Sequence, residues 1–354
     1  MKVNSFKVAF TYAGCIVGAG ILSGQELWQF FGSYGYLGML GFVLSIILQA
    51  VLGYLILKYA FISKEKEFDK LIVRRDIKPI RWFFIISEII FIFGVVIIMF
   101  AGAGSLIESA FKLDDFWGSI IFAVIITVVA FLGINGITNA LSMTIPFLTV
   151  TTLIICILAL NKYGYPTFST LEVTGKTALM PNFVVAFILF CVHNLFCSLG
   201  VLGPLGNMIK EEKTALNGMV ICSIVIVIIA VSVLLPIYSA TDFAKTDLPM
   251  LEIAKSVSTP LFYIYAILLL IGMFGSALSH MVSVMEFAFQ KSEFLNKKKY
   301  LLIIPSSILA FVLSRFGFAN LISVLYPISG YIGIVGLIMV IYNLFTFKKE
   351  KFSR

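Results

Sequence analysis

Two short stretches of this 354-residue chain hold most of the residues that could do chemistry. The first, CIVGAGILSGQE at 15–26, sets Gly18, Gly20 and Gly24 among apolar residues and ends in Gln25 and Glu26. The second, CVHNLFCSLGVLGPLGN at 191–207, contains His193, Asn194, Cys197, Ser198, Gly200, Gly203, Pro204 and Gly206. Glycine costs a helix interior about 1 kcal/mol and proline about 3, so both stretches weaken a helix in mid-run. A broken helix offers free N–H groups where one half starts and free carbonyls where the other ends. The N–H groups suit a carboxylate and the carbonyls a cation. Glycine lets a ligand reach the backbone closely.

The elements that must position these residues are apolar. The chain is 60% hydrophobic and 12% charged, whereas soluble domains carry about a quarter charged residues. Its mean hydropathy is +1.05. Apolar runs of about 20 residues suffice to cross a bilayer as helix. Ten spans are expected, at roughly 6–31, 36–61, 80–110, 117–134, 137–160, 182–209, 213–238, 259–289, 300–314 and 319–347. The turn GINGITN between the fourth and fifth is tight. The apolar run from Val8 leads into glycines and aromatics rather than a cleavage site, so no cleavable signal peptide is expected.

Depth relates the two stretches. Phe6 to Gly18 spans about 18 Å of helix and Asn182 to His193 about 17 Å. Both interruptions therefore reach the middle of a core about 30 Å thick. Spans 1 and 6 are five apart, so they enter from opposite faces. Matched broken helices in such a chain point to inverted repeats around a midplane site. The expected fold is an all-α membrane protein of ten transmembrane helices in a 5+5 inverted repeat, with helices 1 and 6 discontinuous. It forms one domain over 1–354, with repeats at about 6–160 and 182–347.

Charge sets the orientation. With the N-terminus inside, twenty of the 26 Lys and Arg fall on the inner side and six on the outer. Both termini are thus expected in the cytoplasm, and the net charge of +8 needs no nucleic acid. Two outer segments are long, 161–181 and 239–258. The second has helix-like apolar spacing and is open between a short capping helix and a solvated loop.

VGAGIL at 17–22 resembles the GSGIF-type motif of the amino acid–polyamine–organocation superfamily, which has the LeuT-type fold. VGAGILSGQELWQFF together with HNLFCSLGVLGPLGN is similar to the YkvI-type bacterial membrane proteins. The resemblance covers the ten-span plan. It implies that the backbone at Gly18, Ala19, Gly20 and Ile21 holds a substrate carboxylate, with Ser23 beside it. Phe196, Cys197, Ser198 and Gly200 would take the amino group and side chain. A sodium site would use carbonyls near Gly14 and Val17 with Ser276 and Ser279, where the next hydroxyl in order is replaced by His280. A second sodium site needs an Asn where this chain has Ile21, so that site is not expected.

His280 and His193 are the two histidines. Histidine titrates near neutrality, so His280 could carry a coupling proton or could simply pack against Ser276. His193 and Asn194 could touch substrate or satisfy carbonyls freed by the break. Gln25 and Glu26 are open between gating the outer vestibule and capping the following half-helix. Glu88 and Glu286 lie toward the inner ends of their spans and are open between sitting at the interface, pairing with nearby Lys or Arg, and a functional role. Glu108 is expected in solvent.

Several classes are excluded. GAGILSG lacks the third glycine, the acidic residue and the βαβ context of a dinucleotide loop. HExxH and GxSxG are absent, so no enzyme is expected. The five cysteines lack CxxC spacing and imply neither disulfides nor a metal cluster. The reading is a secondary transporter of a small organic solute, an amino acid first, in the plasma membrane of a bacterium. Its coupling ion would be sodium or a proton, and it needs no other cofactor. The alternatives are an amino-acid sensor on the same fold, like germinant-receptor subunits, and a passive channel.

Overall fold

A computed structural model describes residues 3–74, 77–132, 144–167, 177–291 and 293–352. These residues are helical and contain no β-strand beyond one isolated bridge. The first apolar segment is three helices in series: α1 (Ser5–Ile16), α2 (Ala19–Ser23) and α3 (Gln25–Phe30). There follow α4 (Gly35–Ser63), α5 (Phe68–Ile72), α6 (Lys78–Phe111), α7 (Asp115–Leu132) and α8 (Thr144–Tyr163). The second part comprises α9 (Phe183–Cys197), α10 (Leu199–Met208), α11 (Glu212–Ser239), α12 (Pro249–Val257) and α13 (Thr259–Lys291). Short α14 (Glu293–Lys297), α15 (Tyr300–Ser314) and α16 (Phe318–Phe352) complete the chain.

Five helical stretches are long and apolar enough to cross a membrane: 25–63, 78–111, 212–239, 259–289 and 318–347. The pair α9–α10 is bent by 61° at Ser198 and makes a sixth if taken as one span. Three shorter apolar helices lie at 115–131, 147–163 and 300–314. The GINGITN turn falls outside the described residues, as does part of the 161–181 segment. The 239–258 segment is not a solvated loop. It forms α12, whose Met250, Leu251, Ile253 and Ala254 are buried.

Local chemistry sets the ends of the interrupted segments. Each begins on an asparagine N-cap. Asn4 Oδ1 accepts from Lys7 N at 2.9 Å, and Asn182 Oδ1 accepts from Val185 N at 3.0 Å. Such a cap satisfies one of the helix's orphan N–H groups and contributes about 1 kcal/mol. Gly24 divides α2 from α3 at φ +90°, a left-handed conformation that only glycine adopts cheaply.

The most extensive packing is of α9 on α16, α6 on α13 and α1 on α11. Glycines in the second stretch serve this packing. A Cβ on Gly203 would meet the Lys66 carbonyl oxygen at 2.6 Å, and one on Gly206 would meet Ala60 Cβ at 2.6 Å. These two residues therefore let α10 lie close against the end of α4 and the segment after it. At the C-terminal end of α10, Val3 N donates to the Met208 carbonyl at 3.0 Å, and Val3 pairs with Ile209 in a parallel bridge.

Candidate functional site

The helix is interrupted at Val17 and Gly18, both outside helical backbone geometry. Val17 N donates to the Ala13 carbonyl and Gly18 N to that of Ile16. The carbonyls of Gly14, Cys15 and Val17 are thereby left without an intrahelical donor, and the first N–H groups of α2 without an acceptor. Tyr265 of α13 donates its hydroxyl to the Leu22 carbonyl, and Ser23 Oγ donates to Gly20 O at 2.9 Å. Ala19, Gly20, Ile21 and Ser23 are all buried.

The second interruption is a bend at Ser198, whose Oγ donates to the Asn194 carbonyl at 2.6 Å. Leu202 N and Val201 N both return to Ser198 O. Gly200 is exposed, and a Cβ there would meet nothing within 4 Å; the same space surrounds Gly14 and Gly18. The two interruptions lie near one another, with the Cys15 thiol, which donates to the Thr11 carbonyl at 3.4 Å, within electrostatic range of the Ser198 side chain. Cys15 itself is exposed.

His193 is fixed by α16. Its Nδ1 hydrogen-bonds Ser329 Oγ, and its ring stacks on Tyr326 with centroids 4.2 Å apart. The Cys197 sulfur lies 3.6 Å from the same nitrogen. Asn194 spends its amide on the Phe190 carbonyl at 2.9 Å. Phe196 is fully buried among aromatic rings, 6.3 Å from Phe84 and 6.5 Å from Phe91 between centroids. On α13, His280 Nδ1 bonds the Ser276 carbonyl at 2.6 Å, within its own helix. Ser276 and Ser279 are partly buried.

The carboxylates depart from the simplest sequence reading. Glu26 stands in the first turn of α3 but makes no capping hydrogen bond. It folds back on α2, where a Cβ on Gly20 would lie 2.7 Å from its Oε2. Glycine at 20 makes room for that carboxylate. Gln25 is 3% exposed, and its Oε1 has no hydrogen-bond partner. Glu88 pairs with no Lys or Arg among the described residues. It is 5% exposed and its Oε2 is unpartnered. It shares a helix face with Phe84 and Phe91, four residues before and three after. That face meets Phe196. Glu88 and Glu26 both lie within electrostatic range of Cys197, and Glu26 within range of Tyr326. Glu108 is exposed, as expected; the side chain of Glu286 is outside the described residues.

The sequence reading missed Ser329, Tyr326 and Tyr265. Pro327 within α16 was the signal available, since an intrahelical proline often marks backbone serving a site.

Comparison with known proteins follows from this geometry. The backbone superposes on Mhp1 in an inward-facing conformation with a TM-score of 0.65 at 12% identity, over 96% of this chain and 76% of that one. It superposes on MhsT in complex with L-phenylalanine with a TM-score of 0.64 at 15% identity, over 92% and 87%. The fold is the LeuT type. A manganese transporter of Eremococcus coleocola shares this LeuT-type architecture at a TM-score of 0.50 and 14% identity, over 94% and 69%. By sequence the chain is similar to the Bacillus subtilis (strain 168) membrane protein YkvI, 24% identical over 339 residues and 94% of each chain. It is also similar to YyaD of the same strain, 23% identical over 335 residues and 93% of each. No family model matches. The chain is an integral membrane protein whose neighbours are transporters.

Proposed function

We propose that this chain is a secondary active transporter of a small organic solute, with an amino acid as the first candidate, working by alternating access. One observation carries the reading: the helix interruptions at Val17–Gly18 and Ser198 lie near one another, and nothing lies within 4 Å of where a Cβ would stand at Gly14, Gly18 or Gly200. Free N–H groups of α2 and open backbone at Gly200 would hold the solute's polar groups. His193, locked by Ser329 and Tyr326, would line the same region from α9. The plan is read as ten spans in two inverted repeats, 6–160 and 182–347, with both termini cytoplasmic and the plasma membrane as location. Coupling to sodium would draw on Gly14, Val17, Ser276 and Ser279, with His280 displaced toward its own helix; coupling to protons needs a buried titratable group instead.

The test is counterflow in proteoliposomes loaded in turn with each common L-amino acid. Saturable exchange that weakens on Gly20→Val or Ser198→Leu supports the reading. Exchange of none of them, with the protein monodisperse and inserted, refutes the amino-acid assignment. Exchange unaffected by either substitution refutes the placement of the site.

A further inference from the structure

The buried polar groups that lack a partner near the crossing of the two interrupted segments are acceptors. Gln25 Oε1 and Glu88 Oε2 are both enclosed and unpaired. Glu26 is 4% exposed and has no ion-pair or hydrogen-bond partner among the described residues. No lysine or arginine among them faces either carboxylate. An ionised carboxylate stripped of water and of countercharge is prohibitively unfavourable, so such a group either neutralises or holds a cation. The space around Glu88 decides between these. Phe84 and Phe91 share its face of α6 and both meet Phe196, and its Oε2 is shielded from water. Apolar rings supply a metal ion with no further oxygen ligands, whereas a proton held on the carboxyl needs none.

We propose that Glu88, with Glu26 as its partner across Cys197, carries the proton that this transporter exchanges. The inference rests on the transport reading above and names its coupling ion. In one state the proton resides on a carboxyl oxygen. It is taken up from water in the state open to one side and leaves to water in the state open to the other, so that one proton crosses per cycle. The surrounding titratable groups are consistent with that role. His193 and Cys197 face the pair from α9, His193 with its Nδ1 committed to Ser329. Tyr326 faces it from α16. His280, on α13, is bound to its own helix. Two turns below Glu88 on the same face of α6, about 10 Å inward, stands Arg81, whose Nε donates to Asp69 Oδ2 at 2.9 Å. Arg81 lines an open cavity of about 360 Å³ together with Lys70, Glu65 and Ser63.

Infrared spectra of the full chain in liposomes, titrated from mildly acidic to strongly alkaline pH, test the site without any solute. Wild type is expected to show a protonated-carboxyl band at neutral pH that bleaches only under alkali. The band weakens in Glu88→Gln and in Glu26→Gln and is lost in the double variant. A pH gradient imposed on proteoliposomes tests the coupling. Wild type accumulates the amino acid that passes counterflow, and E88Q loses that accumulation while still exchanging. No such band in wild type, a band untouched by both substitutions, or full gradient-driven accumulation by E88Q each overturns the proposal. Because counterflow needs no proton movement, wild-type exchange without the band sinks the proton site alone. The band without exchange of any amino acid sinks the transport reading and the coupling role with it.

Discussion

Replacing Glu88 by methionine is expected to make the protein more stable. Methionine has nearly the same reach and no strong hydrogen-bonding atom. At 5% exposure, Glu88 presents Oε2 to a setting that offers no donor. Leaving a buried acceptor unsatisfied costs about 1–3 kcal/mol, and removing it recovers that amount. The new side chain also packs on Phe84, Phe91 and Phe196, rings already in contact with one another. The expected gain is therefore about 1–3 kcal/mol, while proton-coupled transport is lost. Asp69 is the opposite control. Its Oδ2 accepts from Arg81 Nε at 2.9 Å and Nη2 at 2.5 Å, and its side chain is 8% exposed. Asp69→Leu is expected to cost about 3 kcal/mol, the lower end for breaking a buried pair, because the Arg81 side chain remains 24% exposed. Unfolding midpoints in a mild detergent, by heat or by added denaturing detergent, read both changes. A loss of about 3 kcal/mol or more in E88M, the size expected when one partner of a buried ion pair is removed, would refute the reasoning. It would mean that Glu88 is ionised and paired, and would remove the proton assignment too.

Other expectations are independent of that result. A small thiol reagent applied to the folded protein should modify Cys15 and spare Cys156, Cys191 and Cys222, which are buried; mass spectrometry of the intact chain reads this, and a protected Cys15 contradicts its exposure. Gly24→Ala forces a left-handed residue at a cost of about 1–2 kcal/mol and sets its Cβ 2.6 Å from Ile237 Cδ1. Gly164→Ala, at φ +81° with nothing within 4 Å, should show the backbone cost alone. Ser329→Ala removes the partner of His193 Nδ1 and should cost about 1–3 kcal/mol. In a cycle with His193→Phe the two changes should be non-additive, and additive effects would show that the pair is not coupled.

The helical plan was legible because bilayer-length apolar runs leave few alternatives. Gly18 and Gly24 announced their interruptions, since glycine in an apolar run needs a reason. Gly203 and Gly206 carried the same signature for another cause: they admit the close approach of Lys66 and Ala60. Composition cannot separate a glycine that opens a helix from one that packs it. Glu88 could not be assigned from the sequence because Arg74, Arg75, Lys78 and Arg81 precede it in the chain. The helix carries it two turns beyond Arg81 and turns it onto aromatic rings rather than toward the lysines. Glu26 was legible as a carboxylate at a helix start, but its fold-back onto Gly20 depends on the left-handed turn at Gly24. The Ser329–His193 contact joins residues 136 positions apart, which local pattern cannot reveal.

The bridge from Val3 to Ile209 has a mechanical consequence. It fastens the start of α1 to the end of α10. While it holds, those two half-helices form a yoke, and neither can swing without dragging the other. The breaks at Val17–Gly18 and Ser198 then bound one linked unit instead of two. Cutting the yoke, by a proline at position 3 that removes the N–H donated to Met208, would free each half to move on its own.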